Sequence, residues 1–316
     1  ADSRVGPGGP PSFYHNLQSM NDAHFRERLA WAQEQLEIGN FGRVERVVQE
    51  LLDSGADDLK PAARRLRGIA FFQQGQVGDA IEVMNRVLDD NPEDEQALYV
   101  RARGYILIQD LISAGVDAEK LRTIAPDTPH YVELLIEIKG LLGHFSDIIP
   151  LCDRVLELDA DSEHILASRG HAFLQTGQYD KAIADFRKLI DGGWENEYLY
   201  SNLGLAHSKK GDYQQALTLL DKALEFNPRH AHARSNRGFA LFKLGDADAG
   251  LRELHLALQL DPDNADAYKN RALIYLALDE RDEAHDDLLT AKELDYALFF
   301  GEEVDRLLRE EFGEEE

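Results

Sequence analysis

Gly143, Gly177, Gly211 and Gly245 stand 34 residues apart, and Asp279 takes the next place in the series. Two steps back from Gly143 lead through Gln109 to Gly75. Self-similarity at this period is the signature of stacked helix–turn–helix units. A single such unit cannot bury its own apolar face, so neighbours must stack into one continuous core. The expected architecture is an all-α solenoid of helical hairpins. The 316 residues then form one stack rather than the two domains that length alone suggests. Such a chain offers a long groove in place of a single reactive pocket.

Placing position 1 of the period at Glu163, Glu197, Ala231 and Ala265 aligns four units. Position 8 then reads Gly170, Gly204, Gly238 and Ala272; position 20 reads Ala182, Ala216, Gly250 and Ala284. Position 27 reads Leu189, Ala223, Ala257 and Ala291. Small residues let paired helices approach closely, and Phe186, Leu220, Leu254 and Leu288 at position 24 fill the remaining space. Pro228 and Pro262 fall just past the second helix, where proline ends a helix cleanly.

This pattern resembles the tetratricopeptide repeat. The tryptophan that opens the family pattern is replaced here by Leu166, Tyr200, Arg234 and Tyr268. Running the register backwards adds units at 61–94, 95–128 and 129–162, and a first at 25–58, to those at 163–196, 197–230, 231–264 and 265–298. The unit at 129–162 is degenerate, with Ile136 and Ile148 where small residues belong and Pro150 inside its second helix. If Ser146 caps that helix, Pro150 falls near the end of the first turn, and units 3 and 4 form an irregular joint. Eight repeats thus span a solenoid over 21–298, and the resemblance implies that it is an all-α, right-handed superhelical solenoid. Val304, Leu307 and Leu308 at helical spacing within 299–316 predict a C-terminal capping helix with an acidic tail. Residues 1–20, with Gly6-Pro7-Gly8-Gly9-Pro10-Pro11, read as a flexible segment. Met20 reads as a natural start, which would make 1–19 an added leader or a processed tail.

The net charge is −25, from 34 basic and 59 acidic residues. That balance repels nucleic acid. No apolar run approaches the roughly 18–20 residues that span a bilayer, so membrane insertion is not expected. Cys152 is the only cysteine, which removes an intramolecular disulfide and a cysteine zinc cluster. It reads as a small filler on an inner helix face. A lone cysteine suits a cytoplasmic setting without excluding export.

Catalytic patterns are missing. There is no phosphate-cradling glycine loop, no His-Glu-x-x-His pair and no Gly-x-Ser-x-Gly elbow. His230 and His232 flank a repeat junction, but paired histidines at a helix start read as plain polar residues rather than metal ligands. No enzyme activity, cofactor or metal is expected.

The resemblance implies that the first helix of each hairpin lines the concave face through positions 2, 5, 6, 9, 12 and 13. Position 6 reads Asn202, Asn236 and Asn270 in the last three units. A carboxamide both donates and accepts, so a stack of them can grip a peptide backbone in either direction. The arrangement is similar to the asparagine ladder of O-linked N-acetylglucosamine transferase; asparagines here can equally bond neighbouring helices. Around them lie Tyr198, Ser201, Lys209, His232, Ser235, Phe239, Phe242, Lys243 and Lys269. Over all eight units the groove positions carry Arg26, Arg65, Arg103, Lys209, Lys243 and Lys269 against Glu37, Glu133, Glu137 and Asp266, a net of +2. Such segregation would steer an acidic segment or a free C-terminus inward. The carboxylate clamp of heat-shock co-chaperones is incomplete, since Leu273 stands where its asparagine belongs beside Lys269. The expected function is a non-catalytic scaffold binding an extended peptide on repeats 6 to 8. The alternatives are a homo-oligomeric assembly protein and the recognition arm of a larger enzyme.

Overall fold

The computed structural model describes residues 13–126, 128–294 and 303–313, and among these there are helices and turns but no strand. Contacts divide the chain at Ile138/Lys139, inside the repeat whose pattern is weakest.

The first unit carries α1 (Phe13–Glu37), α2 (Phe41–Asp53), α3 (Lys60–Gln73), α4 (Val77–Asp90), α5 (Glu95–Leu107) and α6 (Leu111–Ile124), with a 3-10 turn at Asp57–Leu59. Helix α7 (Pro129–Leu141) crosses the division. Helix α1 starts at Phe13, ahead of the first repeat expected at 25; residues 1–12 lie outside the described chain. Helices α1 with α2, α3 with α4 and α5 with α6 pack as hairpins, and α1, α3 and α5 also touch in succession. The core among α1, α2 and α3 is closed by Val44, Val48, Leu51, Ala63 and Leu66.

The second unit carries α8 (Phe145–Leu158), α9 (Glu163–Gln175), α10 (Tyr179–Asp191), α11 (Glu197–Lys210), α12 (Tyr213–Phe226), α13 (Ala231–Lys243), α14 (Ala247–Leu260), α15 (Ala265–Ala277), α16 (Arg281–Leu294) and α17 (Glu303–Phe312). Helices α9, α11, α13 and α15 touch one another in order, while α10, α12, α14 and α16 pack chiefly on those odd-numbered helices. The side on which helices crowd is the inner side of a curved stack. The odd helices of this unit therefore form its inner layer.

The register explains both the turns and the packing. Gly75, Gly143, Gly177, Gly211 and Gly245 all adopt positive φ, and so do Gln109 (63°) and Asp279 (65°) at the two non-glycine places. Each ends a first helix in a left-handed cap, as the 34-residue series requires. At position 8, a Cβ on Gly170 would lie 2.7 Å from Phe186, and one on Gly204 2.8 Å from Leu220. Position 8 thus receives the position 24 side chain of the partner helix. In the seventh repeat, glycines at both 8 and 20 bring α13 and α14 so close that a Cβ on Gly238 would sit 2.8 Å from the Gly250 carbonyl oxygen.

Helix α8 is capped at His144, not Ser146. Pro150 is therefore its sixth residue and removes a backbone donor from the helix body, beyond the first turn expected from sequence. Cys152 is fully buried on this helix. Helix α17 supplies the terminal cap: Val304 and Leu308 bury against Ala272, Ala284, Leu288 and Ala291, with Tyr268, Tyr275 and Phe312 around them. Phe299, Phe300, Gly301 and the acidic end at 314–316 lie outside the described residues.

Candidate functional site

The residues singled out at the groove positions of repeats 6 to 8 all fall on α11, α13 and α15, the inner layer of the second unit. Their environments differ sharply. Asn202 and Asn236 are half-buried, and neither side chain makes a hydrogen bond among the described residues. Asn270 is 7% exposed and donates from Nδ2 to the Ser235 hydroxyl at 3.1 Å. The three amides are thus not equivalent rungs: two are free to meet a ligand, and the third ties α15 to α13.

Ser201 and Ser235 are 3% and 1% exposed. Position 5 lies on the seam between successive inner helices, where the next helix covers it. These serines are therefore closed off from a ligand, and the lining role expected of them is not available. Lys269 occupies the same seam position one repeat later and is 4% exposed. In place of a ninth hairpin it meets α17, and its Nζ lies 3.1 Å from Glu303 Oε2 and 3.6 Å from Asp266 Oδ1. Glu303 stands 34 residues after Lys269, so α17 prolongs the register of the repeats. Burial works against the charged form of Glu303, but Lys269, together with Lys209 and Arg306, holds the carboxyl below its ordinary range.

The other lysines remain open. Lys209 is exposed. Burial, then repulsion from Lys269, pushes its pKa below the usual lysine value against the opposing pull of Glu303 and Asp266. Lys243 is exposed, with Nζ 5.2 Å from the ring centres of both Phe239 and Phe242. Those rings are half-buried, 6.4 Å apart, and Phe239 meets Tyr213 edge-on at 6.4 Å. Tyr198 is 64% exposed and packs edge-on against His230 at 5.0 Å.

The charge count at the groove positions also changes. In the first unit Arg26 pairs with Asp58, Arg65 with Asp94 and Arg103 with Glu137. In the second unit Lys269 pairs with Glu303. Only Lys209 and Lys243, of the six bases counted from sequence, lack a carboxylate among the described residues. The excess that could attract an acidic partner is concentrated there.

Histidines serve the scaffold. His230 caps α13 by accepting the Ala233 N–H at Nδ1, 3.1 Å away, as Asn196 and Asn264 cap α11 and α15 one period either side. Accepting at Nδ1 leaves the proton on Nε2, which is buried without a partner. Burial and then His232 depress the His230 pKa, which favours that neutral form. His232 is exposed and shares a contact with Asn264 Nδ2 at 3.3 Å. No group of three or more His, Cys, Asp or Glu side chains among the described residues is arranged to hold a metal.

One recurrent device escaped the sequence reading. An arginine at position 7 grips an acid at position 23 of its own hairpin: Arg101 with Asp117, Arg169 with Asp185, Arg237 with Glu253 and Arg271 with Asp287. The pairs of Arg101, Arg169 and Arg271 are bidentate. Arg101 also reaches Asn85, Arg169 reaches Asp153 and Arg237 reaches Asp221, each at position 25 of the preceding hairpin. The signal was present as an Arg–acid pair 16 residues apart, repeated in register. These clamps fix hairpin to hairpin and so hold the inner face in shape.

Comparison with known proteins accords with this geometry. Profiles of the tetratricopeptide repeat match residues 29–103 and 203–274, and a further TPR repeat profile matches 170–211, together more than half of the chain. No curated protein matches the sequence. Among solved structures, the chain is similar to the APC/C hetero-tetramer Cut9–Hcn1, with 19% identity over 84% of this chain and 52% of that one and a TM-score of 0.57. It is also similar to the C-terminal part of a TPR repeat-containing protein from Cytophaga hutchinsonii, with 18% identity over 73% and 95% of the two chains and a TM-score of 0.51.

Proposed function

The chain belongs to the tetratricopeptide repeat family of protein-interaction scaffolds, and we propose that it binds an extended peptide segment of a partner on the inner face of α11, α13 and α15. The observation that carries this reading is the pair Asn202 and Asn236. Both amides project from the inner layer at the same repeat position, and neither is used by the fold. A peptide strand laid along them exchanges donor and acceptor with each amide. Tyr198, Phe239 and Phe242 supply apolar contact, and Lys209 and Lys243 attract negative charge. Asn270 acts indirectly, by holding α15 to α13. No step of this function needs a catalytic group, a cofactor or a nucleic acid. No helix among the described residues is long and apolar enough to cross a membrane.

The test is capture of the partner from a source lysate, followed by titration of its bound segment against the Asn202→Ala, Asn236→Ala double variant. Each lost hydrogen bond contributes roughly 0.5–1.5 kcal/mol, so the pair should weaken binding about tenfold. Unchanged affinity ends this reading.

A second reading has one observation behind it. On the outer face of α6, Ile112 is 77% and Val116 65% exposed, with Leu107 and Ile108 exposed nearby. At the equivalent places every other repeat has polar, small or proline residues, such as Asp180 and Ala184 or Gln214 and Thr218. This surface favours association of two copies through their first units. Sedimentation across a concentration series, with Ile112→Asp as control, decides it: a wild-type monomer at all concentrations removes the reading.

A further inference from the structure

We propose that His230, besides capping α13, donates its Nε2–H to a main-chain carbonyl of the bound segment; this inference rests on the groove reading above and adds a donor beside Tyr198 to the two amides. The His230 side chain is 7% exposed, and its Nε2 is buried with no hydrogen-bond partner among the described residues. The cap fixes the proton. The Ala233 N–H can only donate, so Nδ1 accepts it and Nε2 carries the hydrogen. The two nitrogens of an imidazole point in nearly opposite directions, so this N–H is directed away from the turn that Nδ1 caps. A buried donor left unpaired is costly and uncommon.

The other first helices with a buried cap that bonds through its side chain leave no such loose end. Asp94 accepts the Ala97 N–H at Oδ1 and holds Arg65 at Oδ2, 2.6 Å away. Asn264 accepts the Ala267 N–H at Oδ1, and its Nδ2 meets His232 Nδ1 at 3.3 Å. His232 stands 32 residues before Asn264, and the residue at the same place before His230 is Tyr198. Tyr198 brings a ring in place of an acceptor and meets His230 edge-on at 5.0 Å. Such a contact recovers only part of a hydrogen bond. Tyr198 is 64% exposed, so turning its side chain outward loses little packing and uncovers His230 for a strand on the inner face. The occupant is a neutral acceptor. The titratable groups that act on His230 are His232 and Glu197; neither is a fixed cation, and Glu197 repels an incoming carboxylate. An amide carbonyl accepts a hydrogen bond without bringing charge. A peptide backbone offers one at every residue, which suits a strand already running along Asn202 and Asn236.

The test uses the full chain labelled with 15N-histidine, His230 being assigned by its loss in His230→Asn. Asparagine keeps the cap, as Asn196 and Asn264 do one period either side, and removes only the Nε2–H. Three probes are titrated: acetyl-pentaalanine-amide, acetyl-Ala-Ala-Gln-Ala-Ala-amide and acetyl-Ala-Ala-Glu-Ala-Ala-amide. The expected result is a saturable downfield shift of the His230 Nε2 proton with all three, since all share the main-chain carbonyls. His230→Asn should weaken each about fivefold, with an unchanged circular dichroism spectrum. No shift with any probe overturns the proposal, as does unchanged affinity in His230→Asn. A shift with the Gln probe alone assigns the contact to a side-chain carbonyl, and one with the Glu probe alone to a carboxylate; either overturns it too. The Asn202→Ala, Asn236→Ala variant separates the two readings. If it weakens the probes while His230→Asn does not, the groove stands and the histidine contact falls. If His230→Asn alone weakens them, the amide grip falls and the histidine donor stands. If neither variant weakens any probe, both fall.

Discussion

Replacing Gln109 with glycine should stabilise this protein, although Gln109 is exposed and its side chain bonds nothing among the described residues. The reason lies in its backbone. Its φ is 63°, and its N–H donates to Ile106 O at 3.0 Å while the next N–H donates to Tyr105 O at 2.9 Å. Gly75 makes the same two bonds, to Phe72 O at 3.0 Å and, through Gln76, to Phe71 O at 2.9 Å. The cap is therefore the same, and only the residue type differs. A non-glycine residue in the left-handed region carries a strain of about 1–2 kcal/mol. Glycine gives back roughly 0.5–1 kcal/mol through the greater freedom of its unfolded chain. The expected net gain for Gln109→Gly is about 0.5–1 kcal/mol. Asp279→Gly should gain less, since aspartate tolerates this conformation better. The mirror experiment is Gly75→Ala, where a Cβ meets nothing within 4 Å, so any loss is conformational and should be about 1 kcal/mol. Differential scanning calorimetry reads all three, with shifts of roughly 1–4 °C. A fall in Tm for Gln109→Gly, or a neutral Gly75→Ala, would refute the idea that left-handed caps impose the 34-residue glycine series.

Gly238→Ala should destabilise the second unit by about 1–3 kcal/mol, because its Cβ would lie 2.8 Å from a backbone oxygen and 2.9 Å from Leu254 Cγ; Gly78→Ala, with open space around it, should instead gain up to about 1 kcal/mol in the same melts. Arg169→Ala leaves the buried Asp185 carboxylate without its bidentate partner, and urea unfolding should show a loss of roughly 2 kcal/mol, less than for a fully buried pair because Arg169 is partly exposed. Burial pushes the Cys152 thiol up to about 12, so it should resist alkylation in the native protein at pH 8. The raised folded value means its contribution to stability is complete below about pH 9 and is lost as pH climbs toward 12, at about 1.4 kcal/mol per pH unit relative to Cys152→Ala; identical pH profiles for the two proteins would contradict this.

The parts of the fold that were legible in the sequence depend on main-chain geometry and residue size. A left-handed cap selects glycine, and a close helix crossing selects small residues at 8 and 20, so Gly204 and Leu220 announced their contact through spacing alone. The site was less legible because its character depends on what covers each position. Ser201, Ser235 and Lys269 share a place in the register with groove residues, yet the next helix along closes over them. Nothing in a period of 34 says that Glu303 of the terminal helix will claim Lys269, since that needs α17 to dock where a ninth first helix would stand. The arginine clamps were written in the sequence as pairs 16 apart. They went unread because opposite charges at that separation acquire meaning only once the hairpin sets which helix faces meet. His230 read as a plain polar residue, and its role as a helix cap emerges once Asn196 and Asn264 are seen to do the same work.

A partner held on the inner face of the second unit should be reachable from that face alone. A photo-crosslinking amino acid, p-benzoylphenylalanine, placed at Tyr198 on that face and separately at Thr218 on the exposed side of α12, tests it directly in the presence of the captured partner. A covalent adduct is expected from position 198 and none from 218. Adducts from 218 with none from 198 would place the partner on the outer face and contradict it.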